Sequence, residues 1–310
     1  MKHFILLIIG LGPLSFFGQQ IIESSQYMNN DYAYNTAVAG TKANLRVSLG
    51  ARKQWFGFKN APGIQNLTFQ GRVAKSIGLG AQVFNDSWGI SRRTGVNLGV
   101  NYIFSANERF DISLGGSLSG TQFSINAEDV VTEIPEDQAV YQGLRSQFFP
   151  NFGISGYAAS DMFYAGLNVS NLLEINTDLI NGVSSQNNLY RTLHFVIGGD
   201  FKLGEKFILN PSMIYGQTFG GTSGLQIDAR LEYDHLFWIG PGYRNAEAFI
   251  INAGGYIKNF TVGYSYDYVL SGISTVASGG SHEIFVAFDI VKQDNKSSWF
   301  KRNRIYNNNR

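Results

Sequence analysis

The residues in this 310-residue chain that come nearest to catalytic chemistry are Gly280-Ser281-His282-Glu283. A serine beside a histidine and a carboxylate invites a nucleophile-and-base reading. The local pattern argues against it, because the run sits in a segment of period 2, where adjacent side chains point to opposite faces, so Ser281 and His282 cannot pair within one strand. The remaining histidines offer nothing better. His3 lies in the apolar N-terminal stretch, and His194 and His235 fall in separate segments without the spacing of a helical zinc site. The chain has no cysteine, which removes thiolate metal sites, a disulfide framework and an acylated lipobox. Gly-Xaa-Ser-Xaa-Gly does not occur, and Gly78 and Gly80 form a Gly-Xaa-Gly pair with no helix behind it, the weakest form of a nucleotide signal. No catalytic residue, cofactor ligand or metal ligand is nominated, so the expectation is a protein that is not an enzyme and takes no cofactor.

The charged residues that remain belong to alternating segments. In Leu225–Asp234, Leu225, Ile227, Ala229, Leu231 and Tyr233 oppose Gln226, Asp228, Arg230, Glu232 and Asp234; Asn259–Tyr268 and Phe110–Ser119 alternate in the same way. Period 2 sustained over ten residues requires a sheet with different environments on its two faces. Arg46, Arg52 and Arg72 then share a face with Ser48, Thr68 and Gln70, and Asp228, Arg230, Glu232 and Asp267 take the equivalent face elsewhere. Charges of both signs on an inward face predict a crosslinked lumen, since an unpaired charge there is costly unless it is wet.

About 14 strands can be placed this way, near 44–55, 65–73, 76–85, 92–104, 109–121, 147–158, 161–170, 191–202, 206–216, 223–234, 236–243, 245–256, 258–269 and 281–291. Their connections alternate: brief at Ala74-Lys75, Ala159-Ser160, Gly204-Glu205 and Lys258, and mostly longer at Phe56–Gln65, Thr121–Ser146, Asn171–Tyr190 and Leu270–Gly280. Brief periplasmic turns against longer external loops mark an outer-membrane barrel. The predicted fold is all-β, a transmembrane antiparallel barrel of about 14 strands with both termini periplasmic. Composition agrees: 36 Gly, 16 Tyr, 24 Phe and 15% charged residues, with a mean hydropathy of −0.08, suit a wall whose lipid and lumen faces alternate. A soluble sandwich or propeller would show polar outer faces, or a repeat that the chain lacks.

Lys2 and His3, the apolar run Phe4–Leu14 and small Gly18 have the layout of a secretory signal peptide, expected at 1–18. An aromatic, amide-rich and aperiodic segment follows at 19–43, expected to lie at the periplasmic mouth or plug the lumen. The barrel is expected over 44–291 and a basic periplasmic tail over 292–310. That tail holds six basic residues and one acid, whereas 19–291 hold 17 basic and 22 acidic residues. Trp299, Phe300, Lys301, Arg302 and Arg304 are its candidate docking residues. The acidic stretch Glu128–Asp137 is the loop expected to face a secreted client.

Several motifs, read in order, carry a family resemblance. They are Ser25-Gln26-Tyr27-Met28, the Val38-Ala39-Gly40 that follows Ala37, and Arg52–Phe58 (RKQWFGF, with Gln54 and Trp55) before Ala61-Pro62. Asn85-Asp86 with Gly89, Tyr264–Asp267 (YSYD) and Gly280–Ile284 (GSHEI) complete the set. Together they resemble the PorP/SprF family of the type IX secretion system, from Ser25 to about Ile290. The resemblance implies a monomeric barrel in the outer membrane of a Gram-negative bacterium, bound to lipid, performing no chemistry and touching no nucleic acid. It implies as partners the secretion machinery with its periplasmic lipoprotein ring, which also serves gliding motility. It further implies a large secreted adhesin recognised through its C-terminal sorting domain. Two prolines of the family pattern are missing: Asn29-Asn30-Asp31 stands for Phe-Asn-Pro, and Asn35-Thr36 for Asn-Pro. The main alternative from the residues is a porin or small-molecule transport channel, against which inward charges of mixed sign count.

Overall fold

The computed structural model describes residues 24–41, 45–107, 110–126, 144–176, 188–245, 247–270 and 279–290. The alternating segments form fourteen antiparallel strands. They are β1 (Leu45–Lys53), β2 (Gly63–Ala74), β3 (Ile77–Trp88), β4 (Ser91–Asn107), β5 (Phe110–Asn126), β6 (Leu144–Ala159) and β7 (Phe163–Ser170). Then come β8 (Thr192–Gly199, continued after Asp200 by Phe201–Leu203), β9 (Phe207–Thr218), β10 (Ser223–Tyr233) and β11 (Phe237–Arg244). The last three are β12 (Ala248–Ile257), β13 (Phe260–Val269) and β14 (Ser281–Ile290). Each pairs with its neighbours in sequence, and β1 pairs with β14 from Leu45↔Ile290 to Lys53↔His282, so the sheet closes on itself. Closure leaves no open edge between first and last strand, as a bilayer demands of a spanning sheet. No described helix is long and apolar enough to cross a membrane; the strands do the crossing.

Burial is inverted relative to a water-soluble protein. On β1 and β2, Leu49, Leu67 and Phe69 point outward and exposed while Ser48, Thr68 and Gln70 are buried. On β10, Ile227 and Leu231 face out and Gln226, Asp228 and Glu232 face in; on β13, Tyr264 and Tyr268 are out and Ser265 and Asp267 in. Apolar side chains on the outside are stable in hydrocarbon, and the polar interior must find its hydrogen bonds within the ring.

The connections are uneven as expected. At one end the strands are joined by 75–76, 108–109, 160–162, 204–206, 234–236 and 258–259; at the other by 54–62, 89–90, 127–143, 171–191, 219–222, 245–247 and 270–280. The longer end is less uniform than the pattern predicted, because the connections at Gly89-Ile90 and between Arg244 and Ala248 are short there too. Phe207, Tyr233 and Phe237 stack at ring distances of 5.1 and 5.4 Å near the brief-turn end, and Phe260 lies 4.8 Å from Phe288. Such a ring of aromatics is the interfacial belt of a membrane barrel.

Candidate functional site

Residues 24–41 touch strands all the way round the closed ring, and therefore lie inside it. Short 3₁₀ turns at Asp31–Ala33 and Thr36–Val38 fold the segment back on itself. The family pattern's prolines are replaced by side-chain bonds. Asn29 Nδ2 donates to Gln26 Oε1 at 2.6 Å, Asn30 Nδ2 donates to Asn66 Oδ1 at 2.6 Å, and Gln70 Nε2 donates to Asp31 Oδ1 at 3.0 Å. Asn35 Oδ1 accepts the Ala37 N–H at 2.9 Å, and Thr36 Oγ1 meets Ser155 Oγ at 2.8 Å. Amides carry both a donor and an acceptor, so they fix a path by bonding where proline fixes it by a ring.

The anchor of the segment is a buried ionic cluster. Arg52 from β1 donates to Asp267 from β13 at 2.8 Å and lies 3.5 Å from Glu283 of β14. Arg244 from β11 donates to the same Asp267 oxygen at 2.9 Å and to Gln226 Oε1 at 2.8 Å. Into this cluster the segment inserts Ser24 and Ser25. Ser24 Oγ bonds to Glu283, the Ser25 N–H donates to Glu283 Oε2 at 2.7 Å, and Ser25 Oγ donates to Asp267 at 2.8 Å and accepts from Arg52 (2.8 Å) and Arg244 (2.9 Å). All four charged groups are at most 4% exposed. Two cations against two anions, every one hydrogen-bonded, is the arrangement in which buried charge is tolerated.

Below the cluster the segment fills the ring. Gln26 Nε2 bonds to Ser265, Tyr27 Oη meets Ser212 Oγ at 2.6 Å, and Arg230 donates to Asn29 at 3.0 Å and to Asn210 at 3.1 Å while lying 5.3 Å over the Trp238 ring. Asp228 accepts from Gln226 and Asn252, both at 2.9 Å, and Glu232 bonds to His235 and Tyr256. The edge of the Tyr34 ring packs on His194, with centroids 5.4 Å apart. A residual cavity of about 10 Å³ between Ser25, Asn29, Asp228 and Trp238 has room for about one water.

The wall is shaped for this filling. Tyr32 is wholly buried, and a Cβ on Gly80 would stand 2.2 Å from its ring. Gly40 has φ +68° and would bring a Cβ to 2.7 Å from the Arg72 backbone, and its carbonyl accepts from Arg72 Nε at 3.1 Å. Both glycines exist for close approach. Replacing Gly80 with leucine is expected to unseat the segment without opening the wall: amides of 24–41 would exchange quickly in hydrogen-exchange mass spectrometry while the strand ladders stayed protected. Unchanged protection of 24–41 would contradict the fit.

The inward charges read from the sequence thus fall into three sets. Arg52 and Asp267 share the anchor; Asp228, Arg230, Glu232 and Arg72 brace the segment or the wall around it; Arg46 stands apart, 3.7 Å from Asp289 near the brief-turn end. Of the motif residues, Gln26, Tyr27, Met28 and Gly40 belong to the inserted segment, while Gln54 and Trp55 turn over the long-loop rim, the Trp55 N–H donating to Ser281 at 3.2 Å. Ser281 faces the lumen and His282 the outside, where His282 bonds to Tyr264 Oη at 2.6 Å. Arg244 and the inward charge of Glu283 escaped the sequence reading. Trp299, Phe300, Lys301, Arg302, Arg304 and the Glu128–Asp137 stretch lie outside the described residues.

Among solved structures the chain is similar to the KdgM porin (12% identity over 80% of this chain and 100% of that one, TM-score 0.41) and the CymD monoaromatic hydrocarbon channel (12%, 81% and 90%, 0.49). It is similar also to a Pseudomonas aeruginosa FadL homologue (9%, 79% and 90%, 0.42). Likeness of this degree says nothing about what those barrels and this one bind. No protein of curated function matches. The family "Type IX secretion system membrane protein PorP/SprF" matches residues 16–288. A match over that much of a chain that closes into a fourteen-strand barrel makes this an integral outer-membrane member of the PorP/SprF family of the type IX secretion system.

Proposed function

We propose that this barrel is a docking accessory of type IX secretion and not a conduit. It performs no chemistry; it helps secrete, or holds at the cell surface, a large adhesin through the adhesin's C-terminal sorting domain. The observation that carries this reading is the occupied lumen: the segment 24–41 is bonded to the wall by the ionic cluster and by hydrogen bonds to Asn66, Gln70, Ser155, Ser212 and Ser265. A barrel so filled presents surfaces and not a path. The long-loop end is the outer face and meets the client; the brief-turn end faces the periplasm, as barrel convention has it, and the tail 292–310 reaches the periplasmic lipoprotein ring from there. The basic charge of that tail and its aromatic residues suit a protein surface.

The experiment is deletion of the gene followed by quantitative proteomics of surface, medium and periplasm. The expected outcome is loss of one adhesin with a sorting domain from the surface, with general secretion continuing, and restoration by the full chain. A chain truncated after Ile290 is expected to insert normally yet restore the adhesin poorly. An unchanged secretome would overturn the reading, and impaired uptake of a small solute would favour a porin.

A further inference from the structure

The course of the inserted segment has a direction. Its first residues bond at the long-loop end of the ring: Arg52 is the last but one residue of β1, Arg244 the last of β11, Asp267 two short of the end of β13, and Glu283 the third of β14. These strand ends lead into 54–62, 245–247 and 270–280. Its last residues lie at the opposite end: Gly40 bonds to Arg72, two short of the brief turn after β2; a Cβ on Gly78, the second residue of β3, would meet the Ala39 carbonyl; and Leu45 opens β1 there. From Glu283 to the end of β14 is about 23 Å of strand at the usual rise, so the segment runs through most of the height of the ring.

Ser24 is itself buried, its N–H donating to Tyr34 Oη at 2.7 Å. On its brief-turn side the lumen is occupied by Gln26, Tyr27 and Asn29, bonded to Ser265, Ser212 and Arg230. A chain arriving at Ser24 from the periplasm would have to share that filled space. We infer that it arrives from the other side: what precedes Ser24 leaves the lumen through the long-loop mouth, and the processed N-terminus is displayed at the cell surface, not in the periplasm where the sequence pattern put both ends. The barrel therefore carries its N-terminus on the face opposite its C-terminal tail.

The absence of cysteine makes the test clean, because a single introduced thiol is the only one in the chain. Ile22→Cys would be exposed to a membrane-impermeant maleimide on intact cells, beside Lys59→Cys in the long loop after β1 and Glu205→Cys in a brief turn, both exposed positions. The expected result is labelling of Ile22→Cys and Lys59→Cys in intact cells, with Glu205→Cys labelled only after the outer membrane is permeabilised. Labelling of Ile22→Cys only after permeabilisation, or only after denaturation of the barrel, would overturn the inference. Heat-modifiable migration on gels reports whether each variant has folded. Should Ile22→Cys fail to fold, an epitope inserted after Ile21 is read with antibody on intact cells, where surface staining supports the inference and staining restricted to permeabilised cells overturns it.

Discussion

Deletion of residues 24–41 is expected to convert a barrel that passes no ions into one that conducts in discrete steps across a planar bilayer. The wall that remains is lined by Ser48, Thr68, Gln70, Asn101, Ser155, Ser212, Gln226 and Asn252, all buried against the segment or one another in the intact chain. Once the segment is gone, water is the partner left for those bonded to it, and a wetted polar lumen in a ring of this size is a pore. The wall has its own reasons to survive the deletion. Every strand keeps its two neighbours, and the Arg52–Asp267 and Arg244–Asp267 pairs link β1, β11 and β13 without help from Ser24 or Ser25. A folded deletion variant that stays silent would mean that something other than this segment closes the barrel.

The second large effect is expected at Arg244. Its guanidinium donates to Asp267, Ser25 and Gln226 from a fully enclosed position. Arg244→Met leaves Asp267 and Glu283 sharing one cation, and stranding a buried charge in this way costs about 3–5 kcal/mol. The loss should appear as a lower midpoint in denaturant titrations of the barrel in detergent, and as a gel shift to the unfolded position at lower temperature. Adding Asp267→Asn to Arg244→Met removes the stranded charge and should recover part of the loss, a non-additivity that a merely bulky substitution would not give. Arg191, paired with Glu174 at 3.2 Å with both side chains nearly half exposed, is the contrast; Arg191→Met should change stability by no more than about 1 kcal/mol. Equal effects at both positions would sink the distinction between anchor and surface pair.

The wall was legible in the sequence because one physical rule generates it: hydrocarbon on one face, polar groups on the other, repeated every second residue. That rule found the strands and put Ser48, Thr68, Asp228 and Asp267 on the lumen side. It failed where the alternation is thin. On β11 the inward residues are Trp238, Gly240, Gly242 and Arg244, and two glycines and an indole do not read as a polar face, so Arg244 went unnoticed. Bonding across the ring was also out of reach. Ser25 and Asp267 are 242 residues apart, and no local pattern announces that an aperiodic leader will meet a strand at the far end of the chain. Asp31 and Thr36 were visible as departures from a proline pattern, but the bonds that hold the path in place of the lost rings need the partners Gln70 and Ser155 in view.

The most direct measurement is affinity purification of the tagged mature chain from gently solubilised native envelopes, with mass spectrometry of what accompanies it. Docking on the secretion apparatus predicts recovery of its periplasmic lipoproteins, of an adhesin with a C-terminal sorting domain, or of both, and loss of the periplasmic set when the chain ends at Ile290. Recovery of the barrel alone, joined to steady conductance by the intact protein, would contradict the account and make it a channel.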